Sequence, residues 1–565
     1  YDTSTMTGAI SVGNLVLQNS SQVIGQDLTG VDYGDFCVSY EFALSYGANA
    51  LTCKGHPVTL NVTQGGAAYT NFSGTVRVST STSRGTWSIS SGGGSINNLG
   101  NGQADYTFPA TNTGSVTLLL DNTKAESLTI TAADALATTT GSAVTFRAKG
   151  YSATTVPAGV QLANKTFTLR LTAISDDPAR VGCEVVTDYA GSKTLALWAT
   201  RDLPLVNAGT AIEMGGGAVG SSSGTATNRS VTFTAGVGDI NVRYADAGQI
   251  SLYARDDTDI GAPPADTVTE IIAGSGTVIV NPQAIVVEQI RRPNDSANPA
   301  GSAATAATGP SVGSGFVAAG SAFKARLRAV TWQVDGDADY SDNSTAPSFA
   351  AAVTVTPSLH SPVAGSVGNL RSASGVANGS SVNLPSTVFS SGIAALSDWR
   401  YHQYGSFRFA GQASDYLQAG NHISISTSGV VGRFYPHYLA LAEGSATPGN
   451  GTNVGCAPGF QYMDDAALAV VAEVQARGED DAVLSNYQAD WGTLASLAWS
   501  AEDDNSGTNL ASRLSGLGAS WNAGIYRVDT TTAQFAKRGD AERDGPYNSL
   551  QLALTASGDS DGSNI

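Results

Sequence analysis

The chain has 565 residues, of which 13% are charged and 41% hydrophobic, with 65 glycines and a formal net charge of −18. Its charged fraction is about half the ~25% usual for soluble domains, yet its apolar content is enough for several cores, which excludes a disordered chain. The acidic balance excludes nucleic acid, whose phosphates need a basic patch, and an anionic membrane surface.

Residues 1–35 open with "YDTSTMTG", which has neither a basic stretch nor an apolar core of signal-peptide type, so they read as part of a mature product or a fragment. They are too short for a domain and are expected to form an extended segment or linker. The runs "AISVGNLVLQ" and "SSQVIG" have strand character: they are expected either to fold onto their own domain or to be exchanged with another chain. The closing "SGDSDGSNI" is turn chemistry, as expected of a chain that runs on. No apolar run reaches the ~18 residues needed to cross a bilayer, so no membrane insertion is expected.

Four stretches then repeat one pattern: "HPVTLNVT" (56–63), "TFTLRLTA" (166–173), "AFKARLRA" (322–329) and "ALAVVAEVQAR" (467–477). One face of each is apolar: Val58, Leu60 and Val62 in the first, Leu468, Val470 and Val474 in the fourth. The other carries Thr, Asn, Lys, Arg, Glu or Gln. A period of two is that of a half-buried strand. The fourth copy alone also suits a short helix, and the repeat decides for strand. Roughly two dozen residues into each copy comes an aromatic in a turn-like setting, Phe72, Tyr189, Phe349 and Tyr487, followed by another β-run. Short strands with turn signals at this spacing predict an all-β chain, an elongated string of about four immunoglobulin-like β-sandwiches. The expected bounds are 36–135, 136–282, 283–430 and 431–565. The stretch "VGRFYPHYLAL" (431–441) then marks the passage from the third to the fourth.

Read together and in order, "LTCKGHPVTLNVT", "NFSGTVRVSTSTSRGTWSI", "YADAGQISLYARDD", "VGRFYPHYLAL" and "DGPYNSLQLALTASGDSDG" resemble the MshQ-like proteins of MSHA (mannose-sensitive haemagglutinin) type IV pilus gene clusters. The resemblance covers residues 36–565. It implies a protein exported from a Gram-negative bacterium, extracellular and attached to a pilus or cell surface. It carries over no functional residues. The hydrophobic N-terminal helix of a major pilin is absent from the sequence in hand.

Four cysteines, Cys37, Cys53, Cys183 and Cys456, form no C-x-x-C pair. Cys37 and Cys53 are close enough to bridge one hairpin, and a disulfide between them is expected. Asp335, Asp337, Asp339 and Asp342 share the loop "DGDADYSDN", whose alternate carboxylates suit a Ca²⁺ ion or a plain solvated loop equally. The groups Asp256, Asp257, Asp259 and Asp559, Asp561 are weaker versions. An enzyme is not expected: the five histidines are scattered, and "GSSSG" (220–224) and "GPSVG" (309–313) lack the strand–turn–helix setting of a nucleophile. The aromatics of "DWRYHQYGSFRF" (398–409) read as core rather than a glycan platform. Trp87, Trp198, Trp332 and Trp521 read as core too. The resulting expectation is a tip or accessory adhesin of a type IV pilus, with pilus components and a surface glycan as partners. The alternative is a structural stalk or a self-associating filament subunit without its own receptor.

Overall fold

A computed structural model describes residues 40–557 apart from 71, 148, 177–181, 205–209, 257–272, 300–314, 363, 427, 450–459, 489–495 and 540–542. Strands dominate, and the helices among the described residues are 3₁₀ turns such as Tyr340–Asp342. The chain divides into two compact units, residues 1–147 and 148–565.

The first unit is a sandwich. One sheet is built around His56–Gln64 and Ser115–Asp121, the other around Thr75–Thr80 and Gln103–Thr107. Val58, Leu60 and Val62 are fully buried against Val76, Val78 and Leu118, while Thr59 and Asn61 are only partly covered. Each such side chain contributes about 1.5–3 kcal/mol by leaving water, which makes this face the reason the strand forms. The unit extends past the expected boundary at residue 135. Val144–Arg147 pairs in parallel with Asn49–Leu51, and Val144 and Phe146 are buried in the same core.

The second unit contains three successive β-assemblies. Strands from Lys149–Val156 to Ala273–Asn281 form one ten-stranded sheet around a single core. Next, Ala284–Arg291 through Val431–Phe434 form two sheets, of four and six strands. Last, Tyr438–Thr447 through Leu550–Ser557 form sheets of five and three strands. These assemblies are the second, third and fourth sandwiches.

All four repeated stretches are strands, Leu468–Arg477 included, and its buried positions alternate along its whole length. The four turn aromatics also share one geometry. Each donates its backbone N–H to the carbonyl three residues earlier: Phe72 to Tyr69, Tyr189 to Val186, Phe349 to Ala346 and Tyr487 to Leu484. All four side chains are buried. The turn reverses the chain while its ring closes one end of the core.

Candidate functional site

Val431–Phe434 belongs to the third sandwich, not the fourth. It pairs with Gly405–Ser414, and the Phe434 ring lies 5.6 Å from Phe323 and 5.1 Å from Tyr401. Arg433 O and Tyr435 O accept backbone N–H groups from Phe316 and Ala319 at 2.7 Å. His437 then donates to Arg477 O at 2.8 Å, which begins the fourth sandwich. The stretch 431–441 is therefore a splice, and its aromatics are structural.

The third and fourth sandwiches are locked by one loop, residues 478–487. Glu479 N donates to Ala319 O at 2.8 Å, and Arg400 reaches both Gly320 O (2.7 Å) and Glu479 (3.1 Å). His402 Nδ1 lies 2.6 Å from Asp480 Oδ2. Asn486, 2% exposed, accepts from Ser366 N (2.8 Å) and donates to Ser366 O (2.8 Å) and Tyr404 O (3.2 Å). Tyr487 sits edge-on to Tyr404 on one side and to Trp521 on the other, both at 4.9 Å. Gly320 has φ +84, and a Cβ there would come within 3.2 Å of Glu479, so backbone meets backbone closely. A buried amide satisfied at both its oxygen and its nitrogen specifies one docking geometry.

The second and third sandwiches meet through Asp246, 1% exposed, whose carboxylate accepts from Ser348 N (2.8 Å) and Ser348 Oγ (2.7 Å). Nearby, Trp332 N donates to Ala163 O (2.9 Å) and Asn164 Nδ2 to Trp332 O (3.0 Å). Trp332 is thus a joint residue, half-buried beneath Lys165, whereas Trp87, Trp198 and Trp521 are buried.

The four loop carboxylates do not converge. Among the described residues no group of three or more His, Cys, Asp or Glu could hold a metal ion. Asp335 is drawn 2.6 Å from Lys165 Nζ and accepts from Trp332 Nε1, contacts that hold it below the ordinary carboxylate range. Asp337 accepts from Asp339 N, and Asp339 caps the turn Tyr340–Asp342 through Ser341 N. Asp342 lies within that turn, exposed. Buried Arg328 fixes the loop by donating to Ser341 O (2.7 Å) and Asn343 O (2.6 Å). Strand alternation alone sets Arg328 on a solvent face, but this loop covers it. Asp256 is fully buried and accepts the Tyr189 hydroxyl, while Asp257, Asp259, Asp559 and Asp561 lie outside the described residues.

Cys53 and Cys183 are both disulfide-bonded; Cys37 and Cys456 lie outside the described residues. The histidines are not brought together. His56 is buried beside Phe146, His360 meets Ser406, His402 serves the joint, and His422 and His437 are exposed. "GSSSG" lies in a loop leading into the 3₁₀ turn Ser223–Thr225, and "GPSVG" lies outside the described residues. Trp399, Tyr401, Tyr404, Phe407 and Phe409 are all fully buried, as core.

The exposed aromatics are elsewhere. Phe460 is 37% and Tyr462 46% exposed, with ring centroids 5.4 Å apart and edge-to-face. Asp464 N donates to Phe535 O, which ties this loop to the end where Leu468–Arg477 begins. The locking loop lies at the other end of that ten-residue strand, about 30 Å away. Exposed Lys537 and Arg538 share the aromatic end, and Lys537 N donates to Asp464 Oδ1. Composition offered one clue to this pair: "GFQYMDD" is a second aromatic cluster, placed before a strand rather than within one.

Three family models match in succession: the first Ig-like domain of DUF6701 over residues 135–270, its second domain over 282–386 and its third over 403–565. The chain carries the three DUF6701 domains in tandem. The matched stretches of the second and third domains end and begin on either side of Ile393–His402. The DUF6701 third domain thus includes Gly405–Ser414, which in the fold completes a sheet with Val353–Ser361 of the second. No curated protein matches. Among solved structures, the Yersinia pseudotuberculosis adhesin InvE is 12% identical, covering 44% of this chain and 59% of its own, at a TM-score of 0.16. Invasin, a bacterial integrin-binding protein, is 11% identical over 88% of this chain and 79% of its own, at 0.19. Titin domains A168–A170 are 9% identical over 70% and 100%, at 0.15. This chain spans less than two thirds of InvE.

Proposed function

We propose that this chain is an extracellular surface protein acting as a tip or accessory adhesin of a type IV pilus of the MSHA kind, exported from a Gram-negative bacterium. Its disulfide-bonded cysteines require an oxidising compartment, which supports the extracellular reading. The pilus link rests on the sequence resemblance. The observation that carries adhesion is the Phe460–Tyr462 pair, exposed at the end of the fourth sandwich remote from its joint. Paired aromatic faces beside cationic side chains suit the apolar faces and hydroxyls of a surface glycan. The locking loop keeps that end in a set direction. The test is binding of the full chain to a glycan array and to host-cell surfaces, beside a Phe460→Ala/Tyr462→Ala variant. Binding that falls at least about tenfold in the variant, with unfolding unchanged, supports the reading. Binding unaltered in the variant sinks it.

A second reading, a stalk without a receptor of its own, is favoured by the joint itself, which is built from contacts that need no ligand. No binding by the full chain, with stiffness retained under load, would select it.

A further inference from the structure

Leu550–Ser557 forms the outer strand of a three-stranded sheet in the fourth sandwich, paired with Ser496–Asp503 on one side. All eight of its pairs run in continuous register. Its sequence, LQLALTAS, holds no charged residue and no proline. Among the described residues its backbone makes no hydrogen bond beyond that partner. Natural edge strands are usually blunted by a charge, a bulge or a proline. The other long edge of the same sandwich, Tyr438–Thr447, has Glu443 and a register shift beside it. Glu41–Ser45 carries Glu41 at its edge. Leu550–Ser557 has none of these devices.

We infer that this edge is a pairing surface for a second copy of the chain, strand to strand and antiparallel about a two-fold axis through Ala553. That register sets Leu552 opposite Leu554 of the other copy, Gln551 opposite Thr555 and Leu550 opposite Ala556. Side chains opposite each other share a face in an antiparallel pair. Leu552 and Leu554 are half-buried against the core and Leu550 is 40% exposed, so the second copy covers leucine with leucine. Gln551, Ala553 and Thr555 are exposed and small or polar. The absence of charge selects this occupant. In a chain of net charge −18, a neutral seam is where two copies meet without opposing like charges. Their long-range repulsion remains, so added salt strengthens the pairing. The inference is independent of the adhesin reading.

The test is sedimentation velocity of the full chain over a concentration series at low and moderate salt. A dimer that tightens with salt is expected. Ala553→Lys places a lysine against its own copy at the axis and weakens dimerisation by about tenfold or more. Because Ala553 is exposed, the variant keeps the parent unfolding profile, which is checked in parallel. Gln551→Lys with Thr555→Glu on one chain puts opposite charges across the seam and retains the dimer, which a different register would not do. A chain monomeric throughout, or a dimer indifferent to Ala553→Lys, overturns the inference. So do assemblies that grow past the dimer and vanish when residues 1–35 are removed, since they would make that segment the occupant.

Discussion

The third and fourth sandwiches repeat the same strand pattern and close their cores differently. The third buries Trp399, Tyr401, Tyr404, Phe407 and Phe409 completely, with Phe316, Phe323 and Phe434 packed among them. The fourth leaves Trp499 half-buried, Leu441 65% exposed and two long edge strands unpaired on their outer sides among the described residues. One hydrophobic cluster nevertheless runs through both. The third acts as a keystone and the fourth as the part whose surface remains available, held in place by the loop 478–487. Where a repeat is sealed, variation costs stability; where it is open, variation costs contacts.

The contrast can be broken most severely at the two tryptophans. Trp399→Ala in the sealed core costs about 3–5 kcal/mol, whereas Trp499→Ala, at a half-buried site, costs clearly less. Denaturant unfolding of the full chain measures both, and equal losses would erase the distinction. Next comes the joint. Asn486→Ala strands the amide and carbonyl of Ser366 and the carbonyl of Tyr404, a loss of about 1–3 kcal/mol that splits one calorimetric transition into two. Gly320→Ala forces a side chain into a left-handed backbone against Glu479 and costs about 1–2 kcal/mol, with the joint again the first element to loosen.

The fourth sandwich also has an acid limit of its own. Hydrogen bonds from Arg513, and then from the amide of Arg538, hold Asp544 at about 2, below its usual 3.8. A depressed carboxylate adds stability in full above its unfolded pKa and loses it as pH falls through the folded one. Unfolding followed from pH 7 downward thus shows the fourth sandwich weakening between about pH 4 and pH 2, and Arg513→Met flattens that dependence. The smallest effect is expected on its open face. Arg527 bridges Glu443 and Glu473 at 2.8 Å, but it is exposed and screened by water, and Arg527→Gln leaves the denaturation midpoint nearly unchanged.

Much of this fold was legible because period-two patterning reports a strand and its buried face directly. His56–Gln64 and Leu468–Arg477 bury the sides their sequences indicate. The turn aromatics were visible as a recurring ring, though not as a shared hydrogen bond. Pairing between distant strands was not legible. Val144–Arg147 joins the first unit through Asn49–Leu51, nearly a hundred residues earlier, and nothing local marks that choice. The joint was hidden for a related reason: "GEDDAVLSNYQ" reads as a solvated acidic loop until Arg400 and His402 are placed beside it. The four aspartates were misleading because spacing along a loop does not set direction. Lys165, 170 residues away in sequence, takes Asp335 into an ion pair, while Arg328 on the strand leading into the loop holds the carbonyls of Ser341 and Asn343.

The joint is expected to make the third and fourth sandwiches behave as one mechanical body. Native-state hydrogen exchange on the full chain tests it directly, comparing Ile393–His402 with Leu468–Arg477. Both strands are predicted to exchange through one common opening in the parent chain, and to separate in Asn486→Ala, with Leu468–Arg477 opening first. Independent opening of the two strands in the parent chain would mean that the two sandwiches are separate bodies and that the joint does not couple them.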